Sequence, residues 1–349
     1  MLLAAMLAAG CSLTSDASVS QEDVAHSPPP VPSGIPANEP VARVAAQVEQ
    51  SVVQVNVEAV QKTPFGSQDA QGLGSGVIYR EDGYIVTNNH VIRNASEVNV
   101  AFADGSTERG EIVGRDRLTD LAVIQVDRNN LPAANFVEEE DLIVGQLAVA
   151  IGSPGGFEST VTSGVVSGVA REFPPELIGR LEPSLVDLVQ TDAAISPGSS
   201  GGALVNRDGE IIGINVAYLP AETGAVNIGF AIPSDTAVSV ADQLIETGEV
   251  SSSYLGVETA DLSPQDAERF GLPVDSGAIV ATVVPGSAAD EAGISTEDII
   301  VALDGTEIRS SGDLFGALRD YRPGDTVELT VVRDGEEQTL DATLDERSR

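Results

Sequence analysis

A glycine-rich turn past the middle of the chain carries the residue types that acyl-transfer chemistry requires. The turn reads Ser196-Pro197-Gly198-Ser199-Ser200-Gly201-Gly202, with three glycines in seven residues. Because glycine reaches backbone angles that strain other residues, such a turn can hold a serine hydroxyl outward and direct successive backbone N–H groups at one point. Nucleophilic catalysis needs that hydroxyl, and it needs preorganised donors for the developing oxyanion. The stretch is also compatible with a Gly/Ser-rich hairpin that has no chemistry.

A base and an orienting acid for such a serine are each available at one place in the chain. His90 is the only histidine outside the polar N-terminal stretch, and imidazole is the side chain that titrates near neutral pH. Asp120 directly precedes an apolar run at 121–126, and a carboxylate at the edge of a core needs a donor such as a histidine N–H. Both residues also have plain structural interpretations, as a core histidine and as a turn or helix-cap aspartate.

Short strands separated by Gly and Pro turns must position these residues. Alternating apolar residues predict two successive sets of strands, the first over 51–126 and the second from about 144 to 232. Helices are predicted at 41–48 and 233–246, and a polar loop at 61–73. Many short strands favour all-β barrels or sandwiches, and two such sets in tandem indicate two barrels.

The C-terminal part predicts a separate, mixed unit. A strand begins near Tyr254-Leu255-Gly256-Val257, and Pro285-Gly286-Ser287-Ala288-Ala289 leads into a short helix. Further strands are expected at 278–284, 299–303, 326–333 and 338–344, with a helix near 313–320. A unit of this size can hold its own core.

The charge of the chain argues against nucleic acid as a partner and predicts the salt conditions in which the protein works. Asp and Glu number 54 against 18 basic residues, which gives a net charge of −36, and Lys62 is the only lysine. Nucleic acid is therefore not an expected partner, because phosphate binding depends on clustered Lys and Arg. The acids are spread along the strand and helix patterns. At about 1 M salt the Debye length falls to about 3 Å and screens such self-repulsion, so the composition predicts an extreme halophile.

The N-terminus resembles the end of a lipoprotein signal peptide. Residues 1–10 are apolar and lead to Cys11, although no basic residue precedes the run and Ala8 stands where a larger aliphatic is usual. The run is too short to span a membrane, and a frayed apolar terminus is the alternative. With one cysteine and two histidines the chain has no intrachain disulfide and too few ligands for a Cys/His zinc site. No metal or organic cofactor is indicated.

Several long motifs occur together in a characteristic order. They are Gly74–Ile78, Gly83–Val91, Thr119–Val123, Gln190–Ile195, Gly201–Leu204 and Gly229–Pro233. This set resembles the HtrA/Deg family, whose members are trypsin-like serine proteases that carry PDZ domains, and the resemblance extends from Glu39 to Leu344. The order His90, Asp120, Ser200 is also the chymotrypsin-like one, which differs from those of subtilisins and α/β-hydrolases.

The resemblance implies a fold and a set of roles. The fold would be mainly β, a chymotrypsin-like double β-barrel followed by a PDZ domain. Ser200 would be the nucleophile, His90 the general base and acid, and Asp120 the residue that orients His90. The oxyanion hole would be formed by the turn around Gly198, Ser199 and Ser200, through the N–H groups of Gly198 and Ser200.

The resemblance also implies two recognition sites. Ile195 and the strand of Ile228, Gly229, Phe230 and Ala231 would line an apolar specificity pocket that favours small aliphatic residues. The loop of Tyr254, Leu255, Gly256 and Val257 would capture a peptide C-terminus while the peptide adds as a β-strand.

The sequence departs from the family at the active turn. The family has an Asn-x-Gly-Asn-Ser-Gly-Gly loop, and serine replaces both asparagines here, at Ser196 and Ser199. Ser199 also stands where digestive proteases have the aspartate that pairs with a newly cut N-terminus. Activation by propeptide cleavage is therefore not expected, and activation by rearrangement of a loop is expected instead.

The function expected from this resemblance is ATP-independent endoproteolysis of unfolded or misfolded polypeptides through an acyl-enzyme on Ser200. A non-proteolytic chaperone or peptide-binding scaffold is the alternative, and an esterase is disfavoured by the residue order and the PDZ unit. A homotrimer or larger homo-oligomer is implied, outside the cytoplasm and on the membrane only through a lipid on Cys11. The predicted parts are a signal peptide at 1–10, a disordered tether at 11–38, a protease domain at 39–246, a linker at 247–253 and a PDZ domain at 254–346.

Overall fold

The computed structural model describes most of the chain. The described ranges are 34–63, 66–137, 142–153, 160–172, 185–218, 228–319 and 321–346. The predicted signal peptide and its Cys11 lie outside them. Within these ranges no helix is long and apolar enough to cross a membrane.

Six antiparallel strands close the first barrel. They are β1 (Val52–Thr63), β2 (Gly66–Ile78), β3 (Tyr84–Asn88), β4 (Glu97–Ala101), β5 (Thr107–Asp116) and β6 (Leu121–Val126), in the spatial order β1-β2-β3-β6-β5-β4. Alternate residues of these strands fill the interior, as the period of two requires. The fully buried side chains there include Val55, Ile78, Ile85 and Ile124.

The predicted polar loop at 61–73 is wrong. The chain instead continues β1 to Thr63 and starts β2 at Gly66, and the two strands pair from Val52↔Val77 out to Thr63↔Gly66. The loop was predicted because this stretch lacks an apolar alternation, but backbone pairing in a hairpin does not require one. The first barrel therefore carries a long antiparallel hairpin.

The second barrel repeats the plan. Its strands are β7 (Leu147–Gly152), β8 (Thr160–Arg171), β9 (Leu188–Thr191), β10 (Ala203–Val205), β11 (Ile211–Tyr218) and β12 (Gly229–Pro233), closed in the order β10-β11-β12-β9-β8-β7. The two-barrel prediction is confirmed.

A continuous core joins the two barrels. It combines Val77 and Leu121 of the first barrel with Ile151 and Ile214 of the second. Two helices complete it, α1 (Pro40–Val48), which runs into a 3₁₀ turn at Glu49–Ser51, and α3 (Ser234–Thr247). Between them in sequence, α2 (Asn89–Ile92) is a single turn. Because the barrels share this core, the groups contributed by each are held in a fixed relation.

The C-terminal unit is an antiparallel sheet with three short helices. Its strands are β13 (Ser253–Tyr254), β14 (Val257–Asp261), β15 (Ala278–Val283), β16 (Ile299–Leu303), β17 (Thr306–Glu307), β18 (Thr326–Arg333), β19 (Glu336–Thr343) and β20 (Asp345–Glu346). The main sheet has the order β14-β15-β16-β18-β19, so β14 is an edge strand. The helices are α4 (Pro264–Phe270), α5 (Ala288–Glu291) and α6 (Ser311–Leu318).

Serine caps set the starts of these three helices. Ser263, Ser287 and Ser310 each accept a hydrogen bond from the backbone N–H three residues on. Serine is a favoured N-cap because its hydroxyl satisfies one of the unpaired donors of the first turn. Helix α4 was missed from the sequence, although the cap at Ser263 followed by Pro264 is a start signal.

Candidate active site

The segment after β3 places His90 at the junction of the barrels. Asn88 is the N-cap of the one-turn helix α2, and His90 is the second residue of that helix. Asn88 and Asn89 are buried, whereas the His90 side chain is 23% exposed. An imidazole with this exposure is anchored by its backbone and still reaches solvent.

Asp120 lies directly against His90. Its Oδ2 is 2.5 Å from His90 Nδ1, and its Oδ1 accepts the backbone N–H of His90 at 2.8 Å. The Asp120 carbonyl oxygen accepts two more hydrogen bonds, from the N–H of Asn89 at 2.8 Å and from Nδ2 of Asn88 at 3.2 Å. The sequence prediction that these two residues meet agrees with this geometry, in which Nδ1 is held by the carboxylate and Nε2 is left for chemistry.

The backbone at Asp120 is in the left-handed region, with φ of 58°. Aspartate tolerates that region better than most residues. The preceding turn is held by Asp116, which accepts hydrogen bonds from the N–H of Leu118 at 3.1 Å and from both the N–H and the hydroxyl of Thr119 at 3.0 and 2.7 Å. Asp116 was not recognised in the sequence, although an aspartate three residues before a threonine is a common turn signal.

Hydrogen bonds and two left-handed glycines shape the turn that carries Ser200. Gly198 has φ of 92° and Gly201 has φ of 82°. The N–H of Ser199 donates to Ser196 O at 2.9 Å, and the N–H of Gly202 donates to Ser199 O at 2.9 Å. The turn predicted from the glycines is therefore present, closed on itself by its own backbone.

The turn lies against the residues that lead into His90. A Cβ on Gly201 would collide with the carbonyl oxygen of Ser75 and would come within 2.5 Å of Thr87 Oγ1. The carbonyl oxygen of Ser200 accepts the N–H of Ser75 at 2.8 Å. A Cβ on Gly74 would meet Val91 on one side and Ser200 O on the other. The structure thus packs the turn that carries Ser200, from the second barrel, against residues of the first barrel that flank His90.

The hydroxyl of Ser200 is held weakly. Its Oγ donates a long hydrogen bond of 3.3 Å to Val216 O. Among the described residues no hydrogen bond joins Ser200 Oγ to the His90 ring. Catalytic hydrogen bonds are often long or misaligned before substrate binds, and a rotation about χ1 changes the partner of a serine hydroxyl.

Two backbone donors remain at the predicted oxyanion hole. The N–H groups of Ser199, Gly201 and Gly202 bond to Ser196, Asn215 and Ser199. The N–H groups of Gly198 and Ser200 have no acceptor among the described residues. Of the three residues predicted for the oxyanion hole, Gly198 and Ser200 thus have backbone N–H groups that remain available to an oxyanion. The N–H of Ser199 is already bonded within the turn, so Ser199 only helps to shape it.

Ser75 was not recognised in the sequence. Its Oγ donates to Gly198 O at 2.7 Å and accepts the N–H of Ser153 at 2.8 Å. Because Ser75 is fully buried, these bonds fix the orientation of the peptide at Gly198. Its position between Gly74 and Gly76 in β2 was the available signal, since a polar residue flanked by glycines in a strand suggests a close approach of another backbone.

The predicted pocket residues at 228–231, which are Ile228 and the first three residues of β12, alternate between two sides of the chain. A Cβ on Gly229 would come within 2.7 Å of Ile195 Cδ1, and Ala231 shares a core cluster with Ile195. The side chains of Ile228 and Phe230 pack in the core between the barrels. The strand's alternation produces this division, so the structure places Gly229 and Ala231, and not Ile228 and Phe230, on the side of Ile195.

The predicted carboxylate loop is a turn between two strands. Tyr254 ends β13, Val257 begins β14, and Gly256 between them has φ of 90°. Leu255 is buried, and its carbonyl oxygen accepts the N–H of Ala289 at 2.7 Å. A Cβ on Gly256 would collide with the Ser287 side chain, so this position requires glycine both for conformation and for space.

Models of two protein families match the chain. The trypsin-like peptidase domain matches residues 74–214, and the PDZ domain matches residues 253–344.

Proteins of known sequence and structure are similar to most of the chain. Proteins named probable periplasmic serine endoprotease DegP-like are 42% identical over 278 residues in Halomonas elongata and 41% identical over 290 residues in Marinomonas sp.. These matches cover 80% and 81% of this chain, but 57% and 60% of the relatives. The chain thus spans less than two thirds of their length.

Two solved structures match over nearly their whole length. The HtrA-type protease AlgW with tripeptide is 35% identical, with a TM-score of 0.72, and the match covers 88% of this chain and 98% of that one. The serine endoprotease from Yersinia pestis is 32% identical, with a TM-score of 0.62, and the match covers 90% of this chain and 100% of that one.

Proposed function

The chain belongs to the HtrA-type family of trypsin-like serine proteases with a PDZ domain, and on that premise we propose that it is an ATP-independent serine endopeptidase acting on unfolded or misfolded polypeptides. The observation that supports this proposal is the His90–Asp120 pair together with the packing of the Ser200 turn against Ser75 and Thr87, which lead towards His90. An enzyme of this design needs a nucleophile, a base and oxyanion donors at one cleft.

In the proposed mechanism Ser200 Oγ attacks the scissile carbonyl while His90 Nε2 takes its proton. Asp120 holds Nδ1 of His90 and stabilises the imidazolium that forms. The N–H groups of Gly198 and Ser200 then stabilise the oxyanion. Collapse of the tetrahedral species transfers the proton from His90 to the leaving amine and leaves an acyl-enzyme, which water hydrolyses by the reverse use of the same groups.

The pocket and the PDZ unit define what the enzyme would take. Ile195 packed against Gly229 makes a small apolar wall, which supports cleavage after small aliphatic residues. The edge strand β14 is available for a peptide to add as a further strand, with its C-terminal carboxylate at Tyr254–Val257. The expected partners are therefore unfolded chains and free polypeptide C-termini.

The relatives and the sequence support a proposed location and assembly. The names of the DegP-like relatives place those proteins in the periplasm, which supports an extracytoplasmic location here. A lipid on Cys11 would anchor the protein to the membrane, and the family supports a homotrimer or larger homo-oligomer. The protein would fold and act best in concentrated salt, because its net charge of −36 requires screening.

The test of the catalytic proposal is casein hydrolysis by the full chain in about 2 M salt, where surface charge is screened, alongside Ser200→Ala. A fluorophosphonate probe should label the parent protein at Ser200, and both labelling and cleavage should disappear in the variant. Cleavage that survives in Ser200→Ala would contradict the mechanism. A parent protein that binds unfolded casein without labelling or cleavage would indicate the chaperone or scaffold instead.

The halophilic proposal has its own measurement. The thermal midpoint and the casein-cleaving activity should fall together in dilute buffer and should recover together in molar KCl or NaCl. An unchanged midpoint across that range would contradict it.

A further inference from the structure

The proposed capture would seat a peptide in a groove between β14 and α6, and one end of that groove holds a group of side chains that capture of the carboxylate does not use. Val257, Thr259 and Asp261 alternate along β14, and Asp261 Oδ1 accepts the N–H of Ser311, the first residue of α6, at 2.8 Å. This face of β14 is therefore turned towards α6. Asp261 lies at the end of the strand away from the Tyr254–Val257 loop.

Three carboxylates meet at that end of the groove, and one of them comes from the protease domain. Glu172 directly follows β8, and a Cβ on Gly312 would come within 3.0 Å of its Oε1. The N–H of Gly312 donates a hydrogen bond to this carboxylate. Asp313 is in the first turn of α6, and its Oδ2 accepts the N–H of Arg309 at 2.9 Å.

The negative charge of this group is not balanced by the protein. Within the described part of the chain, none of Glu172, Asp261 and Asp313 forms an ion pair. The nearby Arg309 is exposed and contributes its backbone N–H. Burial, followed by the charges of Asp261 and Asp313, raises the pKa of Glu172 above its ordinary value. The N-terminus of α6 offers only about half a positive charge, which is too little for three carboxylates.

Two buried hydroxyls at the same place lack partners. Ser311 is 6% exposed, and its Oγ has no hydrogen-bond partner among the described residues. The same holds for Oγ1 of Thr259, on the face of β14 that is turned towards α6. Buried hydroxyls are normally paired, so these two are unused acceptors and donors beneath the groove.

We propose that this end of the groove is a subsite for a cationic side chain, which selects polypeptide C-termini carrying Lys or Arg four residues before the last. The position follows from the register. A peptide antiparallel to β14 with its last residue beside Val257 has the residue four places earlier beside Asp261. An ammonium or guanidinium group there would meet the three carboxylates and the two hydroxyls, which are its natural acceptors.

Because Glu172 belongs to the protease domain, such a ligand would contact both domains at once. The inference rests on the proposed capture of C-termini by the PDZ unit, and it adds a residue preference to that capture. It also gives a bound chain a contact on the protease side of the groove, at the end of β8.

The test is a set of peptides that share an apolar C-terminal residue with a free carboxylate and differ only four residues before it, with Lys, Ala or Glu. Binding is followed by fluorescence anisotropy with the full chain carrying Ser200→Ala, which prevents turnover. In about 0.15 M salt we expect the Lys peptide to bind about fivefold more tightly than the Ala peptide, and the Glu peptide to bind more weakly than both. The spread should narrow in about 2 M salt.

Variants assign the preference to these carboxylates. Glu172→Gln combined with Asp313→Asn should remove most of the advantage of Lys and leave binding of the Ala peptide nearly unchanged. Glu337→Gln, an exposed carboxylate on β19 at the opposite edge of the sheet, is the matched control and should retain the advantage.

The outcomes distinguish failure of the cationic subsite from failure of the proposed capture of C-termini. Equal binding of the Lys, Ala and Glu peptides would overturn the subsite and leave C-terminal capture in place. Failure of every free-carboxylate peptide to bind would overturn both. A Lys advantage that persists in the double variant would also overturn the subsite, since another surface would then supply the charge.

Discussion

The two barrels hold their parts of the candidate active site in different ways. In the first barrel, His90 and Asp120 are joined by two direct hydrogen bonds, and the Asp120 carbonyl oxygen accepts two more from Asn88 and Asn89. In the second barrel, Ser200 Oγ has one hydrogen bond of 3.3 Å, to Val216 O. The imidazole of His90 is thus held by side-chain and backbone hydrogen bonds, while Ser200 is held mainly by the backbone of its turn.

This difference assigns separate functions to the two halves. In the proposed mechanism the first barrel would fix the tautomer and orientation of the imidazole before substrate arrives. The second barrel would set the proposed oxyanion donors and the serine through glycine geometry and through Ser75, which belongs to the first barrel and reaches across to Gly198 O. The position of the Ser200 turn depends on these contacts between the barrels, and substitutions there should act through backbone position.

Asp120→Asn should have the largest effect. Asparagine tolerates the positive φ at this position and can still accept the N–H of His90, so the fold should persist. Its amide can donate to Nδ1 and thereby favour the wrong imidazole tautomer, which lowers kcat by about 10³- to 10⁴-fold in enzymes of this design. Casein cleavage and the thermal midpoint measure the two properties. An activity loss below about tenfold would contradict the proposed role of Asp120.

Gly201→Ala should reduce activity by about 10²-fold, because a displacement of about 1 Å at a reacting group has that effect. The added Cβ would collide with Ser75 O at a φ of 82° that favours glycine. The rate of fluorophosphonate labelling reports the position of Ser200 directly.

Gly105→Ala is the matched control for this change. Gly105 has a similar φ of 85°, but a Cβ there meets nothing within 4 Å. It should cost about 1 kcal/mol of stability through backbone strain and leave the labelling rate unchanged. Equal labelling rates in the two variants would contradict the view that close packing positions the serine.

Ser75→Ala should lower kcat by about tenfold and stability by about 1–3 kcal/mol, because Gly198 O and the N–H of Ser153 lose their buried partner. The effect should fall on kcat more than on KM, since the oxyanion donors act in the transition state. Ser96→Ala removes a comparable bond to Glu58 O on the surface and should change neither constant. A pure KM effect in Ser75→Ala would remove Ser75 from the support of the oxyanion hole.

The parts of the fold that the sequence predicted correctly are those with a strong local signal. Leu121–Val126 was predicted with its observed bounds, because a mostly apolar run, interrupted only by Gln125 and preceded by polar residues, marks a buried strand. The turn at 196–202 was recognised from its glycines. The hairpin beyond Val60 was missed because its pairing is carried by the backbone, which leaves no pattern in side-chain type.

The contacts between barrels could not be predicted from local signals. Ser75 and Gly198 are 123 positions apart, and nothing in either stretch identifies the other. The same limitation applies to Glu172, whose neighbours Asp261 and Asp313 belong to another domain. The division of Ile228 and Phe230 from Gly229 and Ala231 did follow from strand alternation, and the resemblance to a family concealed it by treating the strand as one unit.

Glu172→Gln should have the smallest effect of these substitutions, a small change in the thermal midpoint. It concerns a second difference between the barrels, the pKa of their carboxylates. In the first barrel, a hydrogen bond from Arg128 and further ones from Ser106 lower the pKa of Asp104. At the end of the second barrel, burial and the neighbouring charges of Asp261 and Asp313 raise the pKa of Glu172. A raised pKa means that the ionised form destabilises the folded state at neutral pH and that this loss disappears as pH falls below the ordinary range of a glutamate. Glu172→Gln should therefore raise the thermal midpoint by about 1–2 °C at pH 7, and the gain should vanish near pH 4.

Asp104→Asn should shift the thermal midpoint in the opposite direction. The midpoint of the variant should be lower than that of the parent at pH 7, and the two midpoints should converge as falling pH protonates Asp104 in the parent. Shifts of the same sign in the two variants would contradict this difference between the barrels.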